Sequence, residues 1–364
     1  MKDRVVARVD LSVIRANYNH IKSTVGDSRV MAVIKADAYG HGSSVIAKEL
    51  EKLGCTDFAV ACLSEAQELR ASGVNSNILL LGPTDARFAG ELTEGGFTQS
   101  CDSFDYAKAL SDKGGARIHV KVDTGMSRIG IYCHGEDDIL RAADEIEKIS
   151  MLSNVTIDGI FTHFADSDGG DREFTDKQFS VFTALLNELK NRNVNVGLRH
   201  CCNSAATLRY PEMHLDMVRA GIILYGLMPS SNLSSEAIKP AMRLAARVCA
   251  IHELKAGDSV SYGCTYRSDK DTRVAVISIG YADGFSRVYS GRPLIKINGN
   301  LFSTVGRICM DMCIVDIGDF DCKIGSEAVI FESSEDIDRL ADALGTINYE
   351  ILCSLKHRVK LEYI

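Results

Sequence analysis

Val33-Ile34-Lys35-Ala36-Asp37-Ala38-Tyr39-Gly40-His41-Gly42 joins an apolar run to a glycine-punctuated loop, with a lysine at the junction. The run reads as the end of a strand, Val30–Lys35, and the text beyond the loop as a helix over Ser43–Leu53. That is one βα unit, and the pattern recurs down the chain. Further strand candidates are Phe58–Cys62, Asn77–Leu81, Gly96–Gln99, Arg117–Val122, Thr156–His163, Gly197–Cys201 and Met217–Ile222. Helical text lies between them at Ser64–Ser72, Asp85–Glu94, Ser103–Ser111, Asp137–Ile149 and Thr175–Arg192, several opened by Ser, Thr or Asp in the capping role. Eight such strands predict an α/β fold, a closed (β/α)8 TIM-type barrel over residues 10–230.

After the Ser-rich break Pro229–Glu236 the periodicity changes. Alternating runs at Arg243–Leu254, Asp258–Tyr266, Arg273–Tyr281, Leu294–Ile297, Leu301–Val305, Cys309–Val315 and Glu327–Phe331 predict a mainly antiparallel β domain over 236–364. Only Ser334–Leu344 reads as helical there. The alternation at Val5–Val9 resembles these strands, so residues 1–9 are expected to join the second domain.

Composition narrows the function classes. The net charge of −8 and the absence of any basic run argue against nucleic acid or anionic membranes as partners, and favour small molecules. No apolar stretch is long enough for a span, and the mixed-charge start has no leader-like core, so a cytoplasmic protein is expected. Twelve cysteines without CxxC pairs, in a chain able to build its own core, read as buried free thiols. Nine histidines in no ligand-type spacing predict no metal site.

In a barrel of this type the active site collects at the C-terminal ends of the strands. Lys35, Lys121, Arg128, His163, Asn203, Ser204 and Arg219 all fall there. So many charged and polar groups at one mouth are hard to explain by packing, because unpaired buried charge is costly.

These residues sit inside blocks that resemble the alanine racemase family almost end to end. The blocks are Ala32–Gly42, Asp123–Gly130, Thr162–Ala165, Asn203–Ala206, Arg219–Ile222, Tyr225-Gly226, Val260–Gly263, Gly280–Gly284, Gly306–Asp311 and Asn348–Glu350, in the family's order. The resemblance implies pyridoxal 5'-phosphate as cofactor and interconversion of L- and D-alanine for peptidoglycan by two-base proton transfer. A serine or broad-spectrum amino-acid racemase is the alternative that shares these motifs. A decarboxylase of the same plan would carry a glycine-rich phosphate loop that is absent here, and a single-domain cofactor-carrying barrel would leave the β domain unexplained.

By the same resemblance, Lys35 is the covalent tether of the cofactor and one base, and Tyr262, from the partner chain of a homodimer, is the other. A hydrogen-bond chain from Tyr262 through His163 to Arg219 would assist the phenol, whose free pKa is near 10. Arg219 would face the ring nitrogen. Because a guanidinium does not give up its proton, the ring nitrogen stays largely unprotonated and the cofactor becomes a weaker electron sink. Tyr39, Asn203, Ser204, Gly221, Ile222 and Tyr349 are implied in cofactor binding, the phosphate held by the hydroxyls of Tyr39, Ser204 and Tyr349 and the amides of Gly221 and Ile222. Arg128, Met310 and Asp311 are implied in substrate binding, with Arg128 also reaching the cofactor's phenolic oxygen. Tyr281 and Arg287 would line the approach corridor. Lys121, an inward cation near Arg128, is expected to be carbamylated. The sequence departs from the family at Ser127, where glycine is common, at Ser286, and at Arg358–Glu362, which lacks a usual proline. Cys201, Cys202 and Cys309 receive no role from it.

Overall fold

The computed structural model describes residues 3–364; Met1 and Lys2, which the expected 1–9 segment includes, lie outside them. Eight parallel strands close into a barrel: Arg29–Val33, Asp57–Val60, Asn77–Leu80, Phe97–Cys101, Ala116–Asp123, Val155–Phe161, Leu198–His200 and Met217–Ala220, the last pairing back on the first. The expected (β/α)8 architecture is present. Strands such as Arg29–Val33, Asp57–Val60 and Asn77–Leu80 are largely apolar because helices cover one face and packed side chains fill the other, whereas Phe97–Cys101, Ala116–Asp123, Leu198–His200 and Met217–Ala220 carry polar groups inward. A short extra strand, Ile131–Tyr132, extends the end of Ala116–Asp123.

Between Ala116–Asp123 and Val155–Phe161 the register slips by one residue, looping out Asp158 and pairing Gly159 with His119. The His119 ring lies flat against Gly159, where a Cβ would meet ring atoms at 2.7–2.8 Å. Only glycine leaves room for that imidazole inside the barrel.

The second sheet is mainly antiparallel, in the order Asn300–Ser303, Pro293–Ile297, Glu327–Phe331, Met242–Leu254, Val5–Val9, Lys360–Tyr363, with Thr272–Ile277 and Cys313–Asp316 extending from Met242–Leu254. Val5–Val9 pairs antiparallel with Met242–Ala246 and parallel with the C-terminal strand. One continuous apolar core runs from the barrel into this sheet.

Several sequence expectations are corrected. The first strand stops at Val33, and Lys35 opens a turn rather than closing the strand. Asp258–Tyr266 is not one strand but two short ones, Ser259–Val260 and Tyr266–Arg267, because Ser261, Gly263 and Cys264 take positive φ and fold the chain into a turn at Tyr262. Arg273–Tyr281 ends at Ile277, and Cys309–Val315 begins only at Cys313, because the segments after the one and before the other bond to each other as loops: Tyr281 N–H donates to Cys309 O at 3.1 Å and Ala282 N–H to Met310 O at 3.0 Å. Ser334–Leu344 is helical as expected, but Asn348–Cys353 is a second helix, too short for its apolar period to stand out. Leu11–Thr24, capped by Asp10, adds a helix ahead of the barrel.

Candidate active site

Lys35 is followed by one turn of left-handed helix. Ala36, Asp37, Ala38 and Tyr39 all have φ of 52–54°, a conformation costing roughly 1–2 kcal/mol for each residue with a Cβ. The turn closes through Ala38 N–H to Ile34 O at 2.9 Å and is followed by a contact from Ser43 N–H to Asp37 Oδ1 at 2.7 Å. Such strain persists only where surrounding structure over-determines it. Its effect is to turn both the Lys35 amine and the Tyr39 ring into one cavity of about 790 Å³ at the barrel mouth.

The same cavity is lined by Lys121, Arg128, His163, Asn203, Ser204, Arg219, Gly221, Ile222 and Tyr349. Four lysines and arginines face it against the two carboxylates Asp168 and Glu350, so it suits an anion. Burial, and then the Arg128 charge, hold Lys35 below the usual lysine range, against weaker opposing effects from Cys353 and Glu65.

Arg219 is the centre of a buried network. It is 3% exposed and donates from one terminal nitrogen to Thr162 O (2.8 Å), Cys201 O (3.0 Å) and His163 Nδ1 (3.2 Å), and from the other to His200 Nδ1 (2.8 Å). A guanidinium only donates. Both imidazoles must therefore accept at Nδ1 and carry their proton on Nε2, and His200 Nε2 in turn stands 2.9 Å from His119 Nδ1. Burial pulls Arg219 down to about 10, leaving it a cation at neutral pH. Burial, then the Arg219 charge, holds His163 and His200 far below the ordinary histidine value, so both are neutral. His200 and His119 went unnoticed in the sequence; alternation along a barrel strand was their only signal.

Gly221 forms a cradle. A Cβ there would stand 2.8 Å from Tyr39 Oη and 3.5 Å from Ser204 Oγ, and its N–H donates to Ser204 Oγ at 2.9 Å. Asn203 Oδ1 accepts from Ala206 N–H at 3.0 Å and caps the short helix that begins at Ser204. Tyr225, quoted only within a motif, positions the cradle: its hydroxyl donates to Val33 O at 2.9 Å and its ring packs 4.9 Å from that of Tyr39.

Arg128 rides on a loop shaped by Asp123, whose Oδ1 accepts from Gly125 and Ser127 N–H at 3.1 and 2.9 Å. Ser127 has φ of 55°, which explains why glycine suits that position. Lys121 is 2% exposed, with Nζ on Val122 O at 3.1 Å and over the Phe161 ring. Burial, then Arg219, and to a smaller degree Arg128, push it well below the usual lysine range; Arg219 was not the neighbour expected.

Tyr262, Met310, Asp311, Tyr281 and Arg287 do not line this cavity. Tyr262, Tyr281 and Met310 are instead 67%, 42% and 52% exposed on the second sheet. Their loops pack together through Ser261 Oγ to Arg307 O and the Gly280 contact with Cys309 and Met310. The Asp311 carboxylate is taken by Arg358 at 2.7 Å, and its carbonyl by Arg4 at 2.7 Å. So engaged, Asp311 keeps its N–H free of these two arginines.

A closed parallel barrel with an amine and a guanidinium at its mouth, continued by a sheet with an exposed tyrosine turn, defines a barrel enzyme built around a small anionic ligand. Residues 9–229 match the family model "Alanine racemase, N-terminal domain" and residues 241–363 match "Alanine racemase, C-terminal domain". The alanine racemase of Desulforamulus reducens is 41% identical over 374 residues, covering 100% of both chains, and that of Clostridium perfringens 40% over 371 residues, covering 99% and 95%. Among solved structures, the alanine racemase of Clostridium difficile 630 superposes with a TM-score of 0.93 at 37% identity over 99% of this chain and 96% of that one. An alanine racemase from Bacillus anthracis with bound L-Ala-P gives 0.92 at 31% identity, covering 100% and 95%. The chain belongs to the alanine racemase family, as its motif blocks led one to expect. Among the described residues no helix is long and apolar enough to cross a membrane.

Proposed function

We propose that this chain interconverts L- and D-alanine with pyridoxal 5'-phosphate, as a cytoplasmic homodimer supplying D-alanine for peptidoglycan. The observation that carries the reading is that the Lys35 amine, the Arg219 guanidinium and the Gly221 cradle open into one cavity. The residues fit the cofactor: a phosphate would take the space a Cβ would fill at Gly221, between the Tyr39 and Ser204 hydroxyls, with Ile222 and Tyr349 beside it. Asn203 would orient that end of the cavity. When bound, the cofactor supplies an aldehyde that captures amines and a conjugated ring that accepts the electron pair left when the α-proton departs.

Lys35 would tether the cofactor; a lysine already biased toward its neutral form is a competent nucleophile and base. Its Nζ moves the proton on the D face of the α-carbon. Tyr262 of the partner subunit moves the proton on the L face through its phenolic oxygen, which accounts for its exposure in a single chain. His163, with its proton confined to Nε2 by Arg219, is able to donate to that oxygen. Arg219 would face the cofactor's ring nitrogen with its Nε–H, which makes no hydrogen bond among the described residues, while its terminal nitrogens hold Thr162, Cys201, His163 and His200. Arg128 and the Met310-Asp311 backbone of the partner subunit hold the substrate carboxylate, and Tyr281 and Arg287 line the approach.

Lys121 carries a carbamate in this reading: its neutral amine adds to CO2, releasing a proton, and the anion formed offsets Arg128 and Arg219. An unmodified Lys121 amine in good electron density counts against it. The functional units proposed are residues 10–230 and 236–364 with 1–9.

Subunit complementation tests the shared site. Lys35→Ala and Tyr262→Phe should each be inactive on alanine, whereas mixed dimers hold one intact site and regain roughly a quarter of wild-type turnover if chains exchange at random. A chiral assay across several amino acids fixes the substrate. Undiminished turnover in Tyr262→Phe refutes the assignment.

A further inference from the structure

The left-handed turn after Lys35 is held by a residue outside it. Glu65 is the third residue of the helix Leu63–Ala71, and its carboxylate accepts two backbone N–H groups. Oε2 takes Ala61 N–H at 2.7 Å, and Oε1 takes Ala36 N–H at 2.7 Å. Ala61 follows the barrel strand Asp57–Val60, which is paired with Arg29–Val33, the strand leading to Lys35. One carboxylate thus ties the turns after two adjacent strands together, and one of its partners is the first residue of the left-handed turn.

The first of those bonds resembles ordinary helix capping, in which a third-position glutamate reaches back to the residues that open its helix. The second does not. Ala36 belongs to another βα unit, and nothing about capping Leu63–Ala71 calls for it. We propose that Glu65 is a positioning residue, whose carboxylate clamps the left-handed turn and so aims the Lys35 amine into the cavity. The inference rests on the role given to Lys35 above.

The chemistry of the clamp is specific. Both partners are donors, so both acceptor oxygens are needed; a carboxamide keeps one acceptor and sets an N–H against the other amide. An aspartate is one methylene shorter and cannot span both turns. The groups facing the Lys35 amine are Arg128, Cys353 and Glu65. Of these Glu65 and Cys353 favour the ammonium, so removing the Glu65 charge moves the titration of Lys35 to lower pH, while removing the clamp loosens the turn.

The test uses Glu65→Gln and Glu65→Ala beside Ser103→Ala, which deletes a helix cap elsewhere in the barrel, where Ser103 Oγ accepts Tyr106 N–H. Hydrogen exchange of the Ala36 amide and the pH profile of Lys35 labelling by an amine-specific reagent are followed in the protein without cofactor. Racemisation is followed in the loaded enzyme. Glu65→Ala should speed Ala36 exchange at least tenfold, move the labelling midpoint to lower pH, and lower kcat at least tenfold with less change in KM. Glu65→Gln should fall between it and wild type in exchange, yet share the shift in labelling. Ser103→Ala should lower Tm and leave all three readouts in place. If the Glu65 variants lose Tm as Ser103→Ala does while Ala36 exchange and Lys35 labelling match wild type, Glu65 is a helix cap only and the proposal falls. A wild-type protein that does not racemise alanine overturns the functional reading instead, and leaves the exchange and labelling results to judge the clamp.

Discussion

Replacing Gly221 by alanine inserts a single methyl group at the point where the cofactor phosphate is proposed to sit. The effect on the cofactor site follows from what the added Cβ touches. It would lie 2.8 Å from Tyr39 Oη, below any ordinary carbon–oxygen contact, and 3.5 Å from Ser204 Oγ. Tyr39 cannot give way easily: it is buried, packed on Tyr225 and Tyr349, and carried by a left-handed turn with no slack. Overpacking of this kind costs about 1–3 kcal/mol, and losing one hydrogen bond to a charged phosphate costs about 1.5–3 kcal/mol. The methyl group and the phosphate compete for the same space, so the second figure falls on cofactor affinity, a loss of roughly 10–150-fold. Absorbance titration of cofactor-free protein with pyridoxal 5'-phosphate reads this directly, and near-UV circular dichroism confirms that the fold survives. Unchanged affinity in Gly221→Ala would mean that the phosphate binds elsewhere, and the cradle argument would be lost.

Gly159→Ala should destabilise the barrel by about 1–3 kcal/mol, since its Cβ must displace the His119 ring; denaturant midpoints check this, and a wild-type midpoint refutes the packing. Acid sensitivity should begin early. Burial holds His41 at about 4 and His119 at about 3, below the unfolded value near 6.5. The stability these neutral imidazoles lend is therefore whole above pH 6.5 and is lost as pH falls toward the folded values, at up to about 1.4 kcal/mol per pH unit for each. Denaturant unfolding at pH 7, 6 and 5 measures the slope, and His119→Gln should flatten it; an unaltered slope refutes the assignment. Lys121 should gain the mass of one CO2 in intact-protein spectra recorded with bicarbonate and lose it on acidification, and a mass independent of CO2 counts against the carbamate.

The barrel was readable because its strands are short runs, mostly apolar, and all but the last are followed by helical text. All eight appear within a few residues of where the sequence places them. Residues at strand ends, such as Lys35, Arg219 and Ser204, were legible for the same reason: topology alone sends them to one mouth. What failed to show was geometry set by backbone sign. Nothing in Ala36-Asp37-Ala38-Tyr39 announces four left-handed residues, since none is glycine, and the clamp that holds them is remote in sequence. The turn at Tyr262 was hidden likewise, because Ser261 and Cys264 are not residues that ordinarily mark positive φ. His119 and His200 stayed invisible because histidines on inward strand positions look like any other core residue until a guanidinium is found to join them.

The N-terminal strand Val5–Val9 lies between Met242–Leu254 and the last strand, Lys360–Tyr363. During synthesis it is made before the barrel, yet its first neighbour follows more than two hundred residues later and its second more than a hundred after that. At about 5–20 residues per second, its first neighbour is made about 1–5 s after the last barrel strand, and its second roughly 7–28 s after it. Until both are made, the strand keeps unpaired N–H and C=O groups along its edges, the kind of edge that invites pairing with another chain.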